Sequence, residues 1–428
     1  MLDRTLAPEG KPLHNTALPS YHSLTLSNGL PVYLLPHGTV DVVEAQLVFR
    51  AGKGFQPQPG VARYTARNLS EGTARRSSLE IAQLLDGYGA WLSNEVDESS
   101  IALKLATTTR NLPHTLPLLR EILTEPSFPE DEFVKMKHRS AQRLATDARK
   151  TSWLAKRLFG RLMYGDSHPY GVTFGMEHLE TLELEMLREY HRRYLHAGNA
   201  FLTVTGRYDE QPLLRLLEAE FGQLDRPAAP GGESAAAQAP ARQTGRHWAP
   251  HEGMQASLRL GHAGMPRQHP DYYAMTVVNT ILGGYFGSRL MKNIREEKGY
   301  TYGIYSAWMS MHHDGYFMVQ TDVGTAYIEP AIAEVRREMQ HLIEAGVGTE
   351  ELQLVKNYLI GRSVGQRETA FQMSDVLRYS LAYGLPFEEL DRRFDVIREI
   401  QPAEVQRLAQ EWLRPDGLLE VVAGSPQA

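Results

Sequence analysis

The feature that most restricts the fold of this 428-residue chain is that it repeats itself. LPLLREILTEPSFPEDEFVKMKHRSAQRL, beginning at Leu116, and IAEVRREMQHLIEAGVGTEELQLVKNYLIGRS, beginning at Ile332, follow one order: a helical pattern, a break at Gly or Pro, an acidic cap, and a second helical pattern. Glu132 takes the place of Glu351. Each half then closes on a strand-like run, AFLTVTGRYD from Ala200 and GLLEVVAGSP from Gly417, with Phe201 and Leu419 at nearly the same offset from those glutamates. At about 100 to 200 residues per domain, the chain has room for two such units, each with a core of its own.

Between the copies lies RPAAPGGESAAAQAPARQTG, Arg226 to Gly245, rich in Ala, Pro and Gly and without apolar periodicity. Such a run has no face to bury and reads as a linker. The expected division is therefore residues 1–225, a linker over 226–245, and residues 246–428. Ahead of the linker, HSLTLSNGLPVYLLP places Asn28-Gly29 between two apolar runs, a strong hairpin signal, and VVEAQLVFRAG continues as another strand. Strands and helical patterns are segregated along each half. That favours α+β over a doubly wound parallel sheet.

Composition removes several classes of function. A net charge of -6 gives no electrostatic reason to expect nucleic acid as a partner. With no cysteine, disulfide scaffolds, thiolate zinc sites and cysteine nucleophiles are all excluded, and any metal would need His, Asp or Glu. MLDRTLAPEGKPLHN lacks the apolar core of a signal peptide, and no stretch approaches a transmembrane helix in length, so no membrane association is expected. The expectation is a cytoplasmic chain, or a periplasmic one from which a leader has been removed.

PGVARYTARNLSEGT, Pro59 to Thr73, follows a strand and keeps the frame of an inverted zinc-peptidase helix. In His-x-x-Glu-His the histidines share one helical face as zinc ligands, and the glutamate activates the bound water. Here Arg63 and Arg67 stand at the histidine positions and Ala66 at the glutamate. A guanidinium has no free lone pair and cannot ligate zinc. Taken alone, RYTAR is also an ordinary amphipathic helix with two solvated arginines. With its flanking Gly60, Ala62 and Glu71-Gly72-Thr73, however, the segment resembles the M16 family of pitrilysin, insulysin and the mitochondrial processing peptidases. The family takes a third zinc ligand, a glutamate, from a later helix. Here no glutamate occurs between Phe133 and Met176. The resemblance thus implies a chain that binds no zinc and has no cofactor of its own.

The second half carries the more specific resemblance. NTILGGYFGSRLMKNIREEKGYTYGIYSAW, Asn279 to Trp308, is similar to the family's C-terminal signature of a glycine turn, a helix, a second glycine and a strand. It contains neither GK[ST] nor GxGxxG, so a phosphate cradle is a poor reading of its glycines. In the family, an arginine and a tyrosine seven positions apart clamp the peptide near the scissile bond, and Arg295 and Tyr302 have that spacing. They are the implied catalytic pair. Gly283, Gly284 and Phe286 are the implied substrate-binding residues. A fixed cation and a phenol can donate to a substrate carbonyl and to the oxyanion that develops from it. The plainer alternative makes Arg295 a charge near a helix C-terminus and Tyr302 a half-buried strand residue.

Other histidines are structural in this reading. His312-His313-Asp314 fits a hairpin turn, since neighbours on a strand point to opposite faces, and the five-residue spacing of His191 and His196 suits no single helical face. From about Ser23 to Ser425 the resemblance implies a duplicated LuxS/MPP-like metallohydrolase fold, its two similar halves forming a clamshell around an extended peptide. Bacterial members divide the work between a zinc-bearing subunit and one that holds the arginine-tyrosine pair, and this chain fits the second. The implied partners are a zinc-bearing M16 homologue, in which the zinc is expected, and an unstructured peptide that adds as a strand to a sheet edge. The rival readings are a structural or assembly subunit and a peptide-binding holdase, neither with a proteolytic role.

Overall fold

The computed structural model describes residues 18–230, 242–387 and 389–425; most of the expected linker, 231–241, lies outside the described residues. The first half contains strands β1 (His22–Thr25), β2 (Pro31–Pro36), β3 (Val42–Phe49), β4 (Trp91–Val96), β5 (Ile101–Thr108) and β6 (Ala200–Gly206). Its helices are α1 (Val61–Asn68), α2 (Ser78–Gly87), α3 (Leu112–Thr124), α4 (Glu130–Asp147), α5 (Thr151–Tyr164), α6 (Met176–Glu180), α7 (Leu184–Tyr194) and α8 (Glu210–Phe221). The second half contains β7 (Gly245–Pro250), β8 (Gln255–Ala263), β9 (Ile304–Ser310), β10 (Gly315–Gly324) and β11 (Leu419–Gly424). With them are α9 (Tyr272–Asn279), α10 (Ile328–Ala345), α11 (Thr349–Gly365), α12 (Ala370–Ala382), α13 (Glu389–Glu399) and α14 (Pro402–Trp412).

The sheets run β1-β2-β6-β3-β5-β4 and β7-β11-β8-β10-β9. Without β1, the two orders correspond strand for strand, and each has its parallel pair in the same place, β2 with β6 and β7 with β11. The duplicated α+β fold is thus as expected. β1 and β2 form the hairpin around Asn28-Gly29, with Gly29 at φ 85, where a side chain would be strained.

Alternation along the strands settles what covers each face. In β3, Val43, Ala45, Leu47 and Phe49 enter the core formed with the first half's own helices. Glu44 and Gln46 point the other way and are buried all the same, because α12 of the second half lies across them. Gln46 Nε2 donates to Ser374 Oγ at 2.9 Å and to Asp375 Oδ1 at 3.1 Å. Burial is the main reason that the Glu44 carboxyl is pushed above its usual range. Lys104 pairs with both Asp375 and Glu95, and the buried Arg378 reaches Glu95 at 2.9 Å.

The second sheet receives the reciprocal helix. Leu258 and Leu260 of β8 enter the second half's core, while Leu419, Val421 and Ala423 of β11 pack against Ala155 and Phe159 of α5. Ser257 Oγ donates to Thr151 Oγ1 at 2.9 Å. Gly261 is required here, since a Cβ would lie 2.7 Å from the Phe159 ring. Each half therefore lends one helix to the far face of the other's sheet.

Candidate functional site

Helix α1 begins at Gly60, whose φ of 103 and approach to Phe174 exclude a side chain. Val61, Ala62, Tyr64, Thr65 and Ala66 are buried, which leaves Arg63 and Arg67 on one exposed face at i and i+4. Asn68 ties α1 to α4 by donating to Tyr64 O at 2.8 Å and to Met136 Sδ at 3.1 Å. Two turns beyond Met136, Arg143 adds a third guanidinium within electrostatic range of Arg63. Partial desolvation of this otherwise exposed side chain, then the charges of Arg67 and Arg143, hold the Arg63 guanidinium below its ordinary value. Arg143 is 3.7 Å from Asp147, whereas Arg63 and Arg67 have no carboxylate partner among the described residues.

The other candidate residues gather beside β9, an edge strand that among the described residues pairs only with β10. Residues 280–284 form a π-helical turn, and a second π-helical stretch, Met291–Glu297, carries Arg295 near its end. That stretch is held firmly. Arg289 makes two bonds to Glu351 of α11, at 2.7 and 3.0 Å, and Asn293 donates to Glu334 and Glu338 of α10. The Arg295 guanidinium lies 4.5 Å from the centre of the Phe286 ring, and Phe286 is exposed. Gly283 is buried under β9, where a Cβ would meet Ser306 Oγ at 2.6 Å; Gly284 is half-buried beside Asn279.

Tyr302 does not pack as a strand residue. It precedes β9 and is 98% exposed. The loop that presents it is anchored on both sides: Tyr300 stacks on Tyr327 at 4.8 Å, and Thr301 Oγ1 donates to Asp322 O at 2.7 Å and receives the Gly303 N–H at 3.1 Å. No hydrogen bond or ring contact joins Arg295 to Tyr302 among the described residues, and each is carried on a separately braced support. His312 and His313 lie in the β9–β10 turn, and His191 Nε2 is spent on Leu123 O at 2.7 Å.

Family models match both halves: "Insulinase (Peptidase family M16)" over residues 32–163 and "Peptidase M16 inactive domain" over residues 181–359. The chain belongs to peptidase family M16. A solved M16 inactive domain from Pseudomonas fluorescens is 25% identical, with a TM-score of 0.88 over 95% of this chain and 99% of that one. Among curated relatives, the uncharacterized zinc protease YmxG of Bacillus subtilis is 22% identical over 94% of this chain and 98% of its own. The non-peptidase homolog YmxG of Helicobacter pylori is 23% identical over 87% of this chain and 85% of its own.

Zinc, which this family's fold implies, does not fit the residues of this M16 chain. Its ligand helix offers permanent cations at 63 and 67, and Ala66 has no carboxylate. Among the described residues, no group of three or more His, Asp or Glu side chains could hold a metal ion. No described helix is long and apolar enough to cross a membrane. Sequence reasoning missed Arg143 and the braces Arg289, Asn293 and Thr301. The lack of any glutamate in α4 beyond Glu132 signals a lost ligand, but only the packing of Met136 on Asn68 shows which residue of α4 turns toward Arg63.

Proposed function

We propose that this M16 chain is the non-metal subunit of a heteromeric zinc peptidase, supplying Arg295 and Tyr302 to a site whose zinc is held by a homologous partner. The supporting observation is Tyr302 itself: a phenol 98% exposed on a loop braced by Thr301 and Tyr300 has no packing role in this chain. Burying so large a ring in a complex would stabilise the assembly, and its hydroxyl keeps a donor for a substrate oxygen. Arg295, steadied on Phe286, supplies the cation; Phe286 offers an apolar face to the peptide, and Gly283 and Gly284 serve at one remove by letting the helix lie against β9. An extended peptide can add to the open edge of β9 beside this pair, with backbone bonds giving affinity and little sequence selectivity. The two curated relatives, one named a zinc protease and one a non-peptidase homolog, are in keeping with a lineage in which fold and metal chemistry have separated.

The test is kinetic, on the reconstituted two-chain enzyme with only this chain altered. If the pair stabilises the developing oxyanion, Tyr302→Phe and Arg295→Ala lower kcat by about 10²-fold or more while partner binding is unchanged. A rise in KM with constant kcat would reduce the pair to a ground-state grip on the peptide. Wild-type values for both parameters would sink the reading and leave a scaffold or holdase. So would a chain that ignores zinc-bearing homologues in co-expression and size-exclusion chromatography.

A further inference from the structure

Away from this site, the second half contains a cluster of arginines that the peptidase reading leaves unused. Arg267 follows β8 and is only 7% exposed. Its guanidinium lies 3.8 Å from the ring centre of Tyr272, 5.2 Å from that of Tyr273 and 5.6 Å from that of Tyr379 on α12. Its Nε and Nη1 are buried without a hydrogen-bond partner. The same holds for Arg393 Nε on α13 and Arg367 Nη1, just past α11, where the Arg367 guanidinium stacks 4.5 Å from the Phe394 ring.

These groups act on one another. Burial first, then repulsion by Arg267 and Arg362, lowers the Arg393 guanidinium from its ordinary value despite the nearby tyrosines. Arg367 is pushed down to about 10, by burial first and by Arg393 next. Among the described residues, no carboxylate lies within ion-pair distance of Arg267, Arg367 or Arg393. Three other shielded arginines have carboxylates, Arg378 with Glu95, Arg289 with Glu351 and Arg336 with Glu420, whereas the buried Arg259 of β8 has only Met318 Sδ among the described residues. Leaving a charged donor buried and unpaired costs far more than an ordinary hydrogen bond returns.

We infer that Arg267, Arg367 and Arg393 form a binding site for a phosphate-class oxyanion. Arg267 stacks on Tyr272 and Tyr273 of α9, and α9 and α11 both pack on α13, which carries Arg393; three cations gathered in this way favour a dianion with several acceptor oxygens over a planar monoanion, and guanidiniums match such oxygens well. The aromatic rings fix the Arg267 and Arg367 forks beforehand, so little of their side-chain freedom is lost on binding. Because Tyr379 belongs to α12 and Arg393 to α13, a bound anion would hold these helices to α9 at the root of the exchanged helix.

The experiment is thermal unfolding of the full chain with inorganic phosphate at fixed pH and matched ionic strength, followed by calorimetric titration. Phosphate should give a saturable rise in Tm that sodium chloride does not reproduce. Arg367→Gln, at the half-buried rim, should fold normally and weaken phosphate binding about tenfold or more. Arg393→Gln should abolish the Tm rise. Phosphate no better than chloride, acetate as effective as phosphate, or undiminished affinity in Arg367→Gln would each overturn the assignment. None of these readouts involves peptidase activity, so the site stands or falls apart from the proposed subunit role.

Discussion

Arginine at 63 and 67 withholds two ligands and also places positive charge where a zinc dication would sit, with Arg143 adding to it. Arg63→His, Ala66→Glu and Arg67→His together should therefore still leave the chain without zinc, because α4 provides a guanidinium in place of a carboxylate. Elemental analysis of the purified triple variant checks this, and one tightly held zinc per chain would disprove it. A second prediction concerns His262, buried on β8 between Phe317 and Trp308 with Nδ1 2.7 Å from Ala263 O. Burial is the main cause that pushes its pKa down from 6.5 to about 4. The folded value lies below the unfolded one, so the unfolded state takes up the proton first. Stability is complete above the unfolded value and falls as the pH drops toward the folded value, by roughly 3 kcal/mol in all. His262→Phe should keep the ring packing and lose less Tm between about pH 7 and about pH 4.5 than the parent. Equal losses would show that other groups govern acid sensitivity.

At the scale of elements, helix α12 is held to the first sheet by charge as well as apolar contact. Met373 and Leu377 pack on Leu35, and Arg378 reaches Glu95 at 2.9 Å and Asp97 at 3.6 Å. Arg378→Met preserves bulk but leaves Glu95 with Lys104 alone and Asp97 with only its hydrogen bonds from Ser99 and Ser100. It should cost about 2–3 kcal/mol, read as a fall in the denaturant midpoint with m unchanged; a change below about 0.5 kcal/mol would mean that apolar contact alone secures the helix. The paired helices α3–α4 and α10–α11 were legible in the sequence, as were several strands, because period and caps are local signals, but α5 and α12 were not. Nor was their exchange, since Glu44 and Gln46 read as the solvent face of β3 until a helix more than 300 residues away covers them. Likewise, the Arg295–Tyr302 spacing was visible. The exposure of Tyr302 depends on Thr301 reaching Asp322 O, a contact made across the second sheet.

For the whole molecule, the exchange makes each core depend on both halves. Neither sheet keeps both of its covers if the other half unfolds, since α5 and α12 each complete a core that begins in the other half. Calorimetry should give one transition, with the calorimetric and van't Hoff enthalpies equal, instead of the two expected of independent domains. Two resolved transitions would show that the exchanged helices peel away cheaply.

The same exchange bears on descent. A primordial single unit with this topology would have carried one naked sheet face and one helix without a seat, and two copies clasping each other would have cured both defects at once. Gene duplication with fusion would then have converted a pair of molecules into one chain, freeing each copy to change its chemistry while the other kept the scaffold intact. On that account, arginines could replace the metal ligands in one half without loss of the architecture, because the mutual embrace, and not the metal, was what the fold inherited.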